Sequence, residues 1–129
     1  MSNKPLSVLL IDDDETTRNI FKMVMDHHHY PLTTMNDGES ALVYLKQQKP
    51  SPDVIVIDIF LPGKNGYEML DQIRGSDFGK GPRLIATTSY YTTDTADELV
   101  EHGFNGVLFK PLNAQQIVPY LEEVAHQAL

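Results

Sequence analysis

The chain has 129 residues, 41% of them apolar, and carries 18 acidic against 10 basic side chains for a net charge of −8. That length suits one domain with a core of its own, and the absence of cysteine excludes disulfides, thiolate metal sites and thiol nucleophiles. The acidic balance, with no dense run of Lys or Arg, argues against direct nucleic-acid binding, which draws on cationic neutralisation of phosphates. A cation or another protein is the better partner for such a surface. The opening Met1-Ser2-Asn3-Lys4-Pro5 lacks the apolar run of a leader, and no window reaches the about 18 apolar residues of a bilayer span. The expectation is a cytoplasmic protein with no membrane partner.

Residues 6–11 form an unbroken apolar run that reads as a strand buried on both faces, ending in Asp12, Asp13 and Asp14. Ile20, Phe21, Met23 and Val24 then give a first helix its apolar side, and the helix closes on His27, His28 and His29. Adjacent histidines on a helix point in different directions, so the helix C-terminal dipole accounts for them better than a metal does. Residues 30–35 read as a weaker strand, whose Pro31 and threonines suit an edge. Ala41, Leu42 and Leu45 mark a second helix. Residues 54–57 are a second fully apolar strand, followed at once by Asp58. Met69, Leu70 and Ile73 mark a third helix, and residues 74–82 a surface loop.

Residues 84–86 form a further buried strand, followed by Thr87, Thr88 and Ser89; Tyr90 and Tyr91 suit core or contact surface equally. Leu99 and Val100 mark a shorter fourth helix. Residues 106–109 read as the last doubly buried strand and end in Lys110-Pro111. Ile117, Leu121, Val124 and Ala128 recur on one helical face, with Asn113 placed to cap that helix. Pro119 lacks a backbone donor, which calls for a kink or a later helix start.

Five βα alternations predict an α/β fold, a parallel sheet with helices on both faces, in one domain over residues 1–129 with no output domain. Ligands of such sheets sit beyond the carboxyl ends of the strands. There this chain would gather Asp12, Asp13 and Asp58, hydroxyls after the fourth strand, and Lys110. Crowded carboxylates repel one another and need a counter-charge. Oxygen ligands without His or Cys suit Mg²⁺ or Mn²⁺. A lysine and a hydroxyl beside that ion supply what a phosphoryl group needs before transfer to a carboxylate. Taken singly, an aspartate at a βα junction reads as readily as a helix cap. Joint occurrence at three strand ends favours chemistry.

The pieces Val8-Leu9-Leu10-Ile11-Asp12-Asp13, Asp53 through Asp58, Leu61-Pro62-Gly63 with Gly66, Ile85-Ala86-Thr87-Thr88, and Gly103 through Lys110-Pro111 resemble the response-regulator receiver family, from residue 6 to about 125. Each piece is common; their order and spacing are specific. The resemblance implies a flavodoxin-like doubly wound sheet in strand order 2-1-3-4-5. It implies Asp58 as phosphoacceptor, Asp13 as direct Mg²⁺ ligand, Asp12 as its support, and the Phe60 backbone carbonyl as a further ligand. Thr88 would donate its hydroxyl to the phosphoryl group, Lys110 would pair with a phosphoryl oxygen, and the bond before Pro111 would be cis. Asp14 would cap a helix or face solvent rather than bind metal.

Further implications are a sensor histidine kinase or histidine phosphotransfer protein as donor, a downstream protein target, and room for a phosphorylation-linked dimer. The module would assist its own phosphorylation and dephosphorylation without being a turnover enzyme. The chain departs from the family at Val107, three residues before the lysine, where an aromatic switch residue is usual. Coupling is then expected through residues 89–97 instead. Phe60 and Tyr90 border the phosphoryl position and would shield it from water. Two rivals stand beside this reading. One is a receiver-fold interaction module that does not cycle phosphate. The other is a haloacid-dehalogenase-like phosphatase using Asp12 and Asp14, which leaves Asp58 without a role.

Overall fold

The computed structural model describes residues 4–47, 51–77, 81–89 and 93–127. In chain order the elements are β1 (Val8–Ile11), α1 (Glu15–His27), β2 (Leu32–Met35), α2 (Gly38–Gln47), β3 (Val54–Asp58), α3 (Gly66–Arg74), β4 (Arg83–Thr88), α4 (Thr93–His102), β5 (Gly106–Phe109) and α5 (Ala114–Ala125). All strand pairs are parallel, in the order β2-β1-β3-β4-β5. The doubly wound α/β fold expected from the alternation is the fold observed. No helix among the described residues is long and apolar enough to cross a membrane.

The central strands are apolar at every position because both faces are covered. Leu9, Ile11, Ile55, Ile57, Leu84 and Ala86 pack against α2, α3 and α4 through Leu45, Met69, Ile73 and Leu99. Their neighbours Val8, Leu10, Val54, Val56 and Ile85 point the other way, onto Phe21, Met25, Leu121 and Val124 of α1 and α5. Side chains alternate along a strand. Continuing that alternation past the core puts Asp12, Asp58, Thr87 and Lys110 on the α1/α5 side of the carboxyl edge.

β2 is an edge strand, half-buried throughout, as its Pro31 suggested. The opposite edge is β5. Val107, Leu108 and Phe109 there are only partly buried, which corrects the reading of this strand as covered on both faces. An apolar run of four marks a strand but not its place in the sheet. α5 starts at Ala114 under an Asn113 cap and contains Pro119, so the helix does not wait for the proline. Burial of Ile117, Val118, Leu121 and Val124 carries it through that position. In the stretch read as a surface loop, Arg74 instead ties α3 to its surroundings, donating to the Pro82 carbonyl at 2.8 Å and to Asn105 Oδ1 at 2.7 Å. Tyr90, Tyr91, Ala128 and residues 78–80 lie outside the described residues.

Candidate functional site

The rim is assembled by strand ends. Asp12 follows β1, its N–H bonded to the Met35 carbonyl at 3.0 Å, and its side chain is wholly buried. Asp12 Oδ1 accepts the Asp14 N–H at 2.8 Å, while Oδ2 lies 2.9 Å from Lys110 Nζ. Asp58 closes β3, is 6% exposed, accepts the Phe60 N–H at 3.1 Å on Oδ1, and presents Oδ2 3.3 Å from the same ammonium. Asp13 is exposed beside them. One carboxylate oxygen from each of Asp12, Asp13 and Asp58 falls within 4.8 Å of the other two.

Burial pushes the Asp12 carboxyl up from its ordinary 3.8 to about 6, and the Asp58 charge adds to the rise; the Lys110 ammonium and the Asp14 N–H pull the other way. Burial on its own would lower Lys110, but the bond and charge of Asp12, together with Asp58, outweigh it and hold the ammonium above the usual lysine value. Asp12 and Asp58 thus share the Lys110 ammonium, with the Asp13 carboxylate close to both acids. Such a set of carboxylates calls for a cation of higher charge. Two oxygens on Mg²⁺ stand about 3 Å apart when cis and about 4.2 Å when trans, given bonds of about 2.1 Å. The spread of up to 4.8 Å between the three carboxylates exceeds the larger spacing by about 0.6 Å at most. The all-oxygen donor set fits a hard divalent cation.

Lys110 is fixed at the backbone, where its N–H donates to the Thr88 carbonyl at 2.8 Å. The Lys110–Pro111 bond is cis. Asp14 caps α1, accepting from Thr16 N–H at 3.3 Å and Thr17 Oγ1 at 2.7 Å. The Thr17 hydroxyl bond is the chief reason its carboxyl sits below the ordinary value. Its oxygens are committed to the helix, and Asp14 is not part of the acid cluster. His27 ends α1, His28 caps it and His29 takes a left-handed φ of 59°; among the described residues they form no metal cluster.

The two threonines after the fourth apolar run separate by face. β4 extends to Thr88, and Thr87 pairs in register with Asp58. Thr87 therefore shares the face of Ile85 and Asp58, and its Oγ1 is buried without a hydrogen-bond partner. Thr88 has the opposite parity. It lines a cavity of about 280 Å³ with Ile59, Phe60, Tyr67 and Leu99, on the α4 side. The sequence reading put the functional hydroxyl on Thr88; the structure brings Thr87 onto the Asp58 face instead. The Phe60 ring, expected as a shield, stands 58% exposed at the mouth of that cavity.

Two other residues escaped the sequence reading. Arg18 Nη1 donates to the Asp12 carbonyl at 2.9 Å. Tyr120 of α5 accepts the Val107 N–H on its hydroxyl at 2.8 Å, covering the outer edge of β5 where the aromatic residue is missing. Neither side chain has a local pattern that announces it.

Comparison with known proteins agrees with this geometry. The family model for the response regulator receiver domain matches residues 8–122. The transcriptional regulatory protein TrcR of Mycobacterium tuberculosis is 32% identical over 91% of this chain, which spans 44% of that protein. The chain thus spans less than half the length of curated relatives such as this one. The chemotaxis response regulator CheY4 of Vibrio cholerae superposes with a TM-score of 0.85 at 25% identity, covering 94% of this chain and 99% of CheY4. A protein described as a response regulator from Chloroflexus aurantiacus reaches 0.86 at 26% identity, over 96% of this chain and all of that one. Strand order, acid cluster and matched residues converge, and the chain belongs to the response regulator receiver domain family.

Proposed function

We propose that this receiver domain accepts a phosphoryl group on Asp58, with Mg²⁺ (or Mn²⁺) required, from a sensor histidine kinase or a histidine phosphotransfer protein, and signals by contact with a downstream protein. The observation that carries the reading is the meeting of Asp12, Asp13 and Asp58 at one sheet edge, with the Lys110 ammonium paired to Asp12 and Asp58. In the transfer an Asp58 carboxylate oxygen attacks phosphorus, a P–O bond forms, and the P–N bond to the donor imidazole breaks with its electron pair. Asp12, Asp13, Asp58 and the Phe60 carbonyl would hold the ion, which neutralises charge on the phosphoryl oxygens and the acids. Lys110 stays with the group, exchanging its pairing with Asp58 for one with a phosphoryl oxygen. Thr87, facing Asp58 with an unspent hydroxyl, is the better donor to a second phosphoryl oxygen than Thr88. The role is that of a signalling module rather than a conventional enzyme, and the phosphatase alternative loses its acid–base group because Asp14 is spent on capping.

The test is intact-mass analysis after incubation with acetyl phosphate, with and without Mg²⁺. One phosphoryl adduct is expected, dependent on Mg²⁺ and absent from Asp58→Asn. An adduct that survives in that variant, or maps to Asp12, overturns the reading, and no adduct at all leaves a non-cycling interaction module. In the same assay Thr87→Val should slow phosphorylation by roughly 100-fold, the low end of the usual cost of removing one donor to a developing anion. Thr88→Val should change it by less than about threefold, as expected for a side chain outside that donor set. The opposite ranking returns the hydroxyl role to Thr88.

A further inference from the structure

Arg18 is the fourth residue of α1 and half-buried. A cation so near a helix N-terminus opposes the positive end of the helix dipole. Among the described residues no carboxylate forms an ion pair with it. Its guanidinium instead turns back to the end of β1 and donates to the Asp12 carbonyl at 2.9 Å.

That carbonyl belongs to the same planar peptide unit as the Asp13 N–H. The following peptide, between Asp13 and Asp14, is held from its own side, because the Asp14 N–H donates to Asp12 Oδ1 at 2.8 Å. Asp13 is thereby flanked by two pinned peptide planes although its side chain is exposed. Only its side-chain torsions remain free. We propose that Arg18 is a positioning residue for the divalent cation, locking the Asp12–Asp13 peptide so that the Asp13 carboxylate stands ready beside those of Asp12 and Asp58. This rests on the reading of the acid cluster as a Mg²⁺ site.

Arg18 acts on the ion in two ways of opposite sign. Its charge repels Mg²⁺, so as a bystander its removal would tighten binding. Its bond to the Asp12 carbonyl preorganises the site, so as a positioning residue its removal weakens binding. Partners that orient metal ligands commonly change affinity by about 10–100-fold, and the guanidinium's bond is made to the backbone of the acid pair itself, not to a remote group. The positioning effect should win.

The experiment is Mg²⁺ titration of the full chain, followed by backbone amide NMR, for wild type, Arg18→Met and Arg18→Lys. Amide exchange at Asp13 and Asp14 is measured alongside in Mg²⁺-free buffer. Arg18→Met should bind Mg²⁺ roughly 10-fold more weakly, the low end of the range for orienting partners because the loss of the repelling charge works the other way, with faster exchange at those amides and unchanged exchange in β3. Arg18→Lys keeps the charge but lacks the reach and fork of the guanidinium, and should lose part of the affinity. Equal or tighter binding by Arg18→Met overturns the proposal while leaving the Mg²⁺ site intact. A wild type that takes up no Mg²⁺ at millimolar concentration removes the site itself, and the role of Arg18 with it. If Arg18→Met does not fold, Arg18→Lys decides: charge is then constant, and undiminished affinity overturns the claim.

Discussion

Asp12 bears the largest cost of burial among the site's carboxyls. Its side chain is wholly buried, and its carboxyl is raised to about 6 chiefly by that burial. In the unfolded chain the same group titrates near 3.8. Between those values the folded protein holds a proton that the unfolded chain releases, so protonation favours folding. That contribution is complete below about pH 4 and is lost as pH rises through 6. At pH 7.5 the ionised Asp12 therefore costs stability on the order of 1–3 kcal/mol. In metal-free buffer Asp12→Asn should raise the unfolding free energy at pH 7.5 by about that amount, with the gain shrinking to roughly a third by about pH 4.5 and vanishing well below about pH 4. Mg²⁺ should reverse the ranking, because it stabilises only the protein that can bind it. Urea titrations across this pH range measure the difference; a gap that does not change with pH would rule out the buried charge as its cause.

At the scale of elements, the start of α3 is pressed against the segment that comes after Asp58. Asn65 and Glu68 form a reciprocal capping box, Asn65 Oδ1 accepting the Glu68 N–H at 2.9 Å and Glu68 Oε1 the Asn65 N–H at 3.2 Å. The first helical residue, Gly66, donates its N–H to the Ile59 carbonyl at 2.9 Å. A Cβ there would meet the Ile59 Cα at 2.8 Å and the Asp58 carbonyl at 3.1 Å. Those atoms are backbone and cannot rotate aside. Helix propensity alone makes Gly→Ala worth up to about 1 kcal/mol in favour of alanine, but overpacking of this kind costs about 1–3 kcal/mol. Gly66→Ala should therefore destabilise by about 1–2 kcal/mol, and by displacing residues 58–60 it should also weaken Mg²⁺ binding. Unchanged or increased stability in a denaturant titration would show that helix and loop part freely.

Across the whole molecule, the two edges of the sheet are handled differently. β2 lies beside β1 as a short, half-buried strand, whereas β5 is braced from outside by α5 through the Tyr120 hydroxyl on the Val107 N–H. Tyr120 sits so close that a Cβ at Gly106 would come within 2.5 Å of its oxygen. Val107 is β-branched, stiff about χ1 and without a ring to swing. Both side chain and backbone of β5 thus resist change. Thr88, by contrast, sits at the end of β4 on the cavity it shares with Leu99 of α4. A phosphoryl analogue can shift only an element that differs in its contacts between two states. Beryllofluoride with Mg²⁺ should give its largest backbone amide shifts, outside the acid rim, at Ser89 and along the first turns of α4, and smaller ones at Val107 and Leu108. The reverse ranking would restore β5 as the moving part.

Much of this protein was legible before folding was considered. Five βα alternations, the edge character of the strand after Pro31, the caps at Asp14 and Asn113, and the placing of Asp12, Asp13, Asp58 and Lys110 all come from local pattern. Strands end where apolar runs end, and the residues just after a parallel strand lie at its carboxyl edge. Which of Thr87 and Thr88 shares the face of Asp58 was not legible. A strand covered on both faces has no polar alternation to reveal which side chains point where, and parity was set by the register of β4 on Asp58. The exposure of β5 came from its place in the sheet, and the helix kept its course through Pro119 because one face was buried. Arg18 and Tyr120 gained their roles from bonds to backbone groups, an Asp12 carbonyl and a Val107 N–H. Every residue but proline carries the acceptor and the donor alike, so no side-chain pattern marks the one that will be met; only the tertiary structure decides it.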